Sequence, residues 1–218
     1  MKFNLPASFT CTAHTGCMGT EQNTIEAIRK GVQAGADTVE FDLNFDKNNN
    51  PVLSHDAPKG GEVTLDEAFE EISKHSGITV NVDIKSVAAL GKVIPLAEKH
   101  GVLDRIFYTG ISEKWVEAVR RDSKGVPYFL NVSVNTFLKN NSLYLGYLAK
   151  KVKNCGAIGI NFNKKGATPK LTEIFRAKGL LVSIWTANTE EEMRKALACS
   201  PDNVTTRNPD ILKTLLNK

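Results

Sequence analysis

Nine short runs rich in β-branched and aromatic residues recur along the chain, and eight amphipathic stretches of nine to fourteen residues follow or separate them. The runs are FTCTAH (9–14), TVEFDL (38–43), PVLSH (51–55), TVNVDI (79–84), RIFYTG (105–110), VPYFLN (126–131), AIGINF (157–162), LVSIWT (181–186) and NVTT (203–206). The helical stretches occupy 23–35, 65–75, 87–100, 113–122, 143–156, 168–179, 189–198 and 209–217. Strands that alternate with helices at this spacing join through crossovers, which makes them parallel neighbours in βαβ units. One run breaks the rhythm. PVLSH follows its predecessor across KNNNP, a turn signal, and reads as the second half of a hairpin-like extension. Eight βα units remain, enough to close a (βα)8 barrel rather than leave an open doubly wound sheet.

Length agrees with closure. A chain of 218 residues, 41% hydrophobic, can fill one core, and α/β barrels of roughly 200–250 residues commonly form one domain. No linker, low-complexity tract or shift in composition divides it, so a single domain over 1–218 is expected.

The charge balance narrows the partners. The net charge is +4, with lysines spread along the chain and paired only as at Lys150–Lys151 and Lys164–Lys165. No basic stripe interleaves with aromatics, so no nucleic-acid partner is expected, while mild basicity suits a small anionic substrate. Cys11, Cys17, Cys155 and Cys199 show no CxxC pair and no zinc-finger spacing. A disulfide framework is not expected in a chain of this length, with a single bridge still allowed; Cys11 and Cys17 read as small, buried or partly buried residues, a thiol nucleophile being the lesser reading. No stretch has the apolar length to span a bilayer, so no stable membrane insertion is expected. The N-terminal MKFNLPASF lacks the apolar run of an export signal, which leaves a cytoplasmic protein or an exported one already trimmed. No motif assigns an oligomeric state.

In a barrel, chemistry gathers at the C-terminal ends of strands. The first strand ends in His14, and the second carries Glu40 and Asp42, two apart and therefore on one face. The extension ends in His55-Asp56. The next strand carries Asp83 and Lys85, again on one face, and IWTAN offers Trp185 and Asn188. Three carboxylates at one mouth, all oxygen donors, suit a hard divalent cation, Mg²⁺ or Ca²⁺, whereas zinc would more often recruit the histidines. A lysine beside them neutralises an anionic oxygen such as phosphate. Two histidines can share proton transfer, one accepting from a nucleophile and one donating to a leaving group. Together these describe phosphodiester cleavage.

Each member alone has a plainer reading. Glu40 and Asp42 could pair with a lysine, His55-Asp56 could cap a turn, and Asp83 and Lys85 could neutralise each other. Trp185 could pack the rim, while His75 and His100 read as surface residues or partners of helix C-termini. Their coincidence at strand ends is what favours chemistry.

The same residues resemble the glycerophosphodiester phosphodiesterase family. The family pattern runs H-R-G, E-N-T, E-x-D, H-D and E-x-K; here the counterparts are HTG (14–16), QNT (22–24), EFD (40–42), HD (55–56) and DIK (83–85). AGADTVEFDL and GLLVSIWTANTEEEMRKAL extend the likeness over almost the whole chain. The resemblance implies a TIM barrel with a divalent metal at its mouth. Glu40, Asp42 and Asp83 would be ligands, Lys85 would bind phosphate, and His14 and His55 would be the acid–base pair. Related barrels that cleave sphingomyelin-type lipids can expel a cyclic phosphate, so hydrolysis and cyclisation both stay open.

The chain also departs from the pattern. Thr15 stands where the family has arginine, Gln22 replaces the glutamate of E-N-T, and Asp83 is one methylene shorter than glutamate. The loop after His55-Asp56 runs almost directly into a helix, so the insertion usual there is short or missing. TRNP (206–209) replaces T-D-x-P, and Arg207, with Lys59 as the other candidate, could return the lost positive charge. Lys85, Arg207 and Trp185 thus form the candidate substrate-binding set. The expected function is a metal-dependent phosphodiesterase acting on a small, exposed, glycerophosphodiester-like substrate. The alternative is a catalytically weak relative that binds a phosphate-bearing ligand or a partner.

Overall fold

Side-chain hydroxyls and an amide start most of the longer helices in this computed structural model, which describes residues 9–216. Thr24 caps α1 (Ile25–Gln33), Thr64 caps α2 (Leu65–Ser73), and further on Asn141, Thr168 and Thr189 do the same. Thr64 with Glu67 and Thr189 with Glu192 form reciprocal capping boxes, so two otherwise orphaned N–H groups are satisfied at each start. A cap of this kind contributes about 1 kcal/mol. The helices that follow α2 are α3 (Val93–Lys99), α4 (Val116–Asp122), α5 (Ser142–Asn154), α6 (Pro169–Arg176), α7 (Glu190–Leu197) and α8 (Pro209–Leu216).

The strands are β1 (Thr10–Ala13), β2 (Thr38–Phe45), β3 (Pro51–Leu53), β4 (Thr79–Ile84), β5 (Ile106–Ile111), β6 (Tyr128–Asn131), β7 (Gly159–Asn163), β8 (Leu181–Trp185) and β9 (Asn203–Thr206). Eight of them pair in parallel in the order β1-β2-β4-β5-β6-β7-β8-β9, and β9 pairs back onto β1. The barrel is closed, as the alternation of strands and helices requires. β3 stands outside it, antiparallel to β2 with Leu43 opposite Leu53, which is the hairpin extension read from KNNNP.

Parity along each strand separates two environments. On β2, Val39, Phe41 and Leu43 are buried apolar residues, while Thr38, Glu40 and Asp42 take the other face. On β4 the corresponding sets are Val80, Val82, Ile84 and Thr79, Asn81, Asp83. The apolar sets join Leu65, Phe69, Ile72, Leu145, Phe175 and Met193 of the helices in one core. The polar sets bond from one strand to its neighbour around the barrel. Thr10 and Thr12 donate to Asn203 Oδ1 at 2.8 and 2.6 Å, and Asn203 donates to Ser183. Ser183 donates to Asn161, Asn161 to Asn131, and Thr109 to Asn81. Buried polar groups satisfied in this way rigidify the floor beneath the strand ends.

Two helical stretches open as 3-10 helix instead of running as one α-helix. The stretch 87–100 becomes a turn of 3-10 helix, Leu90–Lys92, and then α3. Pro95 lies in the first turn of α3, where no N–H is needed, and the break falls just before it. The stretch 113–122 likewise opens with 3-10 helix at Glu113–Trp115 before α4. Among the expectations, residues 1–8 of the N-terminal segment and Asn217 at the end of the last helix lie outside the described residues.

Candidate active site

Eight side chains singled out by strand-end position line a single cavity of about 330 Å³: His14, Glu40, Asp42, His55, Asp83, Lys85, Trp185 and Arg207. Asp83 and Trp185 stand at the C-terminal ends of β4 and β8, and Glu40 and Asp42 lie within β2. His14 follows β1, Lys85 follows β4 and Arg207 follows β9 by one residue each; His55 follows the β3 extension by two.

The carboxylates meet because of register. Asp42 and Asp83 are partners across β2 and β4, and Glu40 is opposite Asn81, one inward position lower. Oxygen atoms of Glu40, Asp42 and Asp83 all lie within 4.8 Å of one another. The shorter side chain of Asp83 therefore still reaches the cluster. Burial, and then the charges of Asp42 and Asp83, push the Glu40 carboxyl well above the usual carboxylate range. Lys85 answers this crowding, with Nζ 3.0 Å from Asp42 Oδ1 and 2.6 Å from Asp83 Oδ2. Burial pulls its ammonium down, but the two aspartates outweigh that and raise it.

A backbone N–H, a hydroxyl and a side-chain amide each fix one acid. The Thr15 N–H donates to Glu40 Oε2 at 2.8 Å, and Thr109 Oγ1 donates to Asp83 Oδ1 at 2.8 Å. Asn23, held at φ +59°, donates to Asp42 Oδ2 at 2.9 Å and accepts the Asp42 N–H at 2.9 Å. The QNT segment thus divides its work: Gln22 lines the cavity, Asn23 clamps a site acid, and Thr24 caps α1. Thr15 is buried, and its hydroxyl accepts the Asn23 N–H, so this side chain braces the clamp.

The histidines differ in setting. His14 is largely buried, with Nδ1 2.7 Å from the Thr15 carbonyl and 3.9 Å from Glu40. Burial lowers its pKa, the Thr15 carbonyl works against that, and the Arg207 charge adds to the lowering. His55 sits on the rim with 61% of its side chain exposed and Nδ1 2.9 Å from Asp56. Arg207 Nε and Trp185 Nε1 are both buried without a hydrogen-bond partner, two donors left over at the cavity wall. Lys59 is exposed and does not line the cavity, so of the two replacement cations Arg207 is the one in place.

Several cavity residues are not among those singled out in the sequence. Asn81, Thr109, Asn161 and Thr205 lie inside their strands, Asn131 ends β6, and together they form the polar wall and floor. Stepping back by two from the terminal polar residue of a strand finds Asn81 beneath Asp83 and Thr205 beneath Arg207. Asn188 lies outside the cavity and braces β9, accepting the Arg207 N–H at 2.9 Å. His75, just past the end of α2, pairs with Glu71 of that helix, and His100, the residue after α3, pairs with Asp66 of α2. All four cysteines are buried and unbridged, and burial pushes the Cys11 and Cys17 thiols up to about 12 and about 11, which leaves them unreactive.

The sequence profile of the Glycerophosphoryl diester phosphodiesterase family matches residues 7–76 and 62–211. A curated protein named glycerophosphodiester phosphodiesterase, from Caldanaerobacter subterraneus subsp. tengcongensis, is 24% identical over 94% of this chain and 97% of its own. Among solved structures, the glycerophosphodiester phosphodiesterase of Thermotoga maritima superimposes with a TM-score of 0.72 at 20% identity, covering 98% of this chain and all of that one (100%). A phosphodiesterase of Oleispira antarctica, solved with the product sn-glycerol-3-phosphate, gives 0.77 at 17% identity, covering 97% and 98%. At these identities the structures speak for the fold.

Proposed function

The chain belongs to the glycerophosphoryl diester phosphodiesterase family, and from that premise we propose that it is a metal-dependent phosphoric diester hydrolase, or a cyclising lyase, acting on a small glycerophosphodiester. One observation carries the reading: the Glu40, Asp42 and Asp83 oxygens converge within 4.8 Å in a cavity that His14 and His55 also line.

The donor set fits a hard divalent cation such as Mg²⁺ or Ca²⁺. All three groups are carboxylates, and Lys85 sets one positive charge beside two of them. Glu40, Asp42 and Asp83 would hold the ion, which when bound supplies Lewis-acid polarisation of a phosphoryl oxygen.

The chain's own groups account for the remaining steps. His14 accepts the proton of the attacking oxygen, which comes from water or from a hydroxyl of the substrate. A P–O bond forms to that oxygen as the bond to the leaving alcohol breaks, and His55 delivers a proton to the departing oxygen. Arg207 and Trp185 line the cavity, the Arg207 guanidinium meets the phosphate, and Lys85 adds a second positive charge. The cavity is of a size for a glycerol phosphate, the product held by the Oleispira antarctica relative.

A second reading, a phosphate-binding relative without turnover, is favoured by Lys85 lying against two of the three acids. Assay of a glycerophosphodiester panel, first with EDTA and then with Mg²⁺ or Ca²⁺, separates the two, with products identified by phosphorus NMR. Turnover that needs the cation, and that falls about 10²–10⁴-fold in His14→Ala and in His55→Ala, supports the enzyme. Turnover indifferent to EDTA or to both substitutions overturns it, and ligand binding without turnover establishes the second reading.

A further inference from the structure

The loop from β6 to α5 and the first turn of α5 lie at the same end of the barrel as the active-site cavity and carry apolar side chains into solvent. Phe137 is 97% exposed, Leu143 87% and Leu138 39%. The loop is not slack. The Asn135 N–H donates to the Tyr144 hydroxyl, Phe137 N–H to Asn135 Oδ1, Leu138 N–H to the Asn135 carbonyl, and Asn141 N–H to the Leu138 carbonyl. A polar scaffold thus holds Phe137 and Leu143 outward while Leu145 and Leu148 of the same helix are buried. Chain segments that only connect elements are normally polar at such tips, and scattered exposed apolar residues need no explanation unless they cluster.

Charge says what covers them. The fifty residues from Ser123 to Thr172 hold eight lysines and no acid. Of these lysines, Lys139 lies in the apolar loop, Lys165 in the next mouth loop, and Lys170 in the first turn of α6. Lys139 Nζ donates to the Lys165 carbonyl at 3.2 Å and so ties the two loops side by side. None of these three has a carboxylate partner among the described residues.

We propose that this rim, with Phe137 and Leu143 as apolar anchors and Lys139, Lys165 and Lys170 around them, docks the barrel on an anionic lipid surface with the cavity mouth turned towards the headgroups. Exposed apolar tips with lysines on the same and the adjacent loop combine the two signals that peripheral membrane binding needs, burial at the acyl boundary and attraction to anionic lipid. A polyanion such as RNA would satisfy the lysines and leave Leu143 uncovered. Docking of this kind requires no spanning segment, and no described helix is long and apolar enough to be one. The inference is independent of turnover, because it concerns adsorption and not chemistry.

Sedimentation of the full chain with vesicles tests it. Binding is expected to vesicles of phosphatidylcholine mixed with phosphatidylglycerol, to weaken with salt, and to be slight on phosphatidylcholine alone. Phe137→Ser and Leu143→Ser should each weaken binding about tenfold, and Lys139→Gln with Lys165→Gln should flatten the salt dependence. In Phe137→Trp, the only new indole is on the rim, and its emission should shift to the blue on the mixed vesicles alone. Absence of sedimentation overturns the proposal, as does undiminished binding by the serine variants at an unchanged melting temperature. A dimer in analytical ultracentrifugation that Phe137→Ser dissolves, or oligonucleotide binding that outlasts the serine variants, reassigns the surface and overturns it as well.

Discussion

Lys85 Nζ lies 2.6 Å from Asp83 Oδ2 and 3.0 Å from Asp42 Oδ1, so one ammonium bridges the acids of two adjacent strands. The lysine therefore has two tasks, holding the crowded carboxylates together and meeting a phosphate. Lys85→Gln removes the bridging charge from a largely buried cluster, and breaking such a pair costs about 3 kcal/mol. The expected result is a lowered melting temperature in EDTA that Mg²⁺ or Ca²⁺ largely restores, since a cation that binds only the folded state stabilises it. Turnover should stay low even when stability returns. A variant as stable as the parent in EDTA would show that the ammonium is dispensable to the cluster.

Arg207 occupies the cavity wall with its Nε buried and unbonded, and no carboxylate neutralises it among the described residues. Its charge is free for an anionic ligand. Arg207→Gln should lower kcat/KM about tenfold to a hundredfold through KM, the effect of losing one charge-assisted hydrogen bond of about 1.5–3 kcal/mol. Arg207→Lys should recover only part, because a point charge does not reproduce a planar fork. Steady-state kinetics on the preferred diester reads the split, and an unchanged KM in the glutamine variant would remove Arg207 from the substrate-binding set.

The sequence makes the barrel and its cavity legible for one shared reason, the two-residue period of a strand. Parity alone puts Glu40 and Asp42 on one face and Asp83 on another strand's matching face, and parallel register makes Asp42 and Asp83 neighbours. What parity does not convey is the third dimension of the loops. Asn23 is read as part of a helix start, yet a left-handed backbone turns its amide back to Asp42. Thr15 is read as a lost phosphate contact, yet its side chain points inward to the Asn23 N–H. The polar floor is missed because Asn131 and Asn161 look like ordinary strand residues until closure aims them at a common axis. Lysine spacing likewise shows no stripe, and only folding sets Lys139 beside the Lys165 loop.

Gly110 supports Asp83 from the next strand. It sits at φ +75°, and a Cβ there would come within 2.4 Å of the Ile84 carbonyl and 2.6 Å of Asp83 Oδ1. Gly125 has a similar φ of +81° with nothing within 4 Å, which makes it the control for backbone strain alone. Gly125→Ala should cost about 1–2 kcal/mol in urea unfolding, whereas Gly110→Ala should cost clearly more and also weaken divalent-cation binding. Calorimetric titration with Mg²⁺ reads the second effect. Equal losses in both variants would mean that the close approach to Asp83 is relieved without consequence.

Glu71 gives a stability prediction away from the cavity. Its buried carboxylate accepts from Arg29 Nε and Nη2 at 2.9 and 2.8 Å, from Lys74 Nζ at 3.0 Å, and lies 3.3 Å from His75 Nε2. The Arg29 hydrogen bonds outweigh burial and lower its pKa from 4.5 to about 2. A carboxylate depressed on folding stabilises the native state above its unfolded pKa and loses that contribution as pH falls through the folded one. Because Arg29 is half exposed, solvent screening reduces the full linkage value to about 1–3 kcal/mol. Glu71→Gln should therefore unfold at lower urea than the parent near neutral pH. That gap should narrow as the pH drops below about 4.5 towards about 2, where the parent carboxylate also becomes neutral. Urea midpoints measured across this range decide the matter, and a gap that stayed constant with pH would assign the loss to packing and hydrogen-bond geometry rather than to charge.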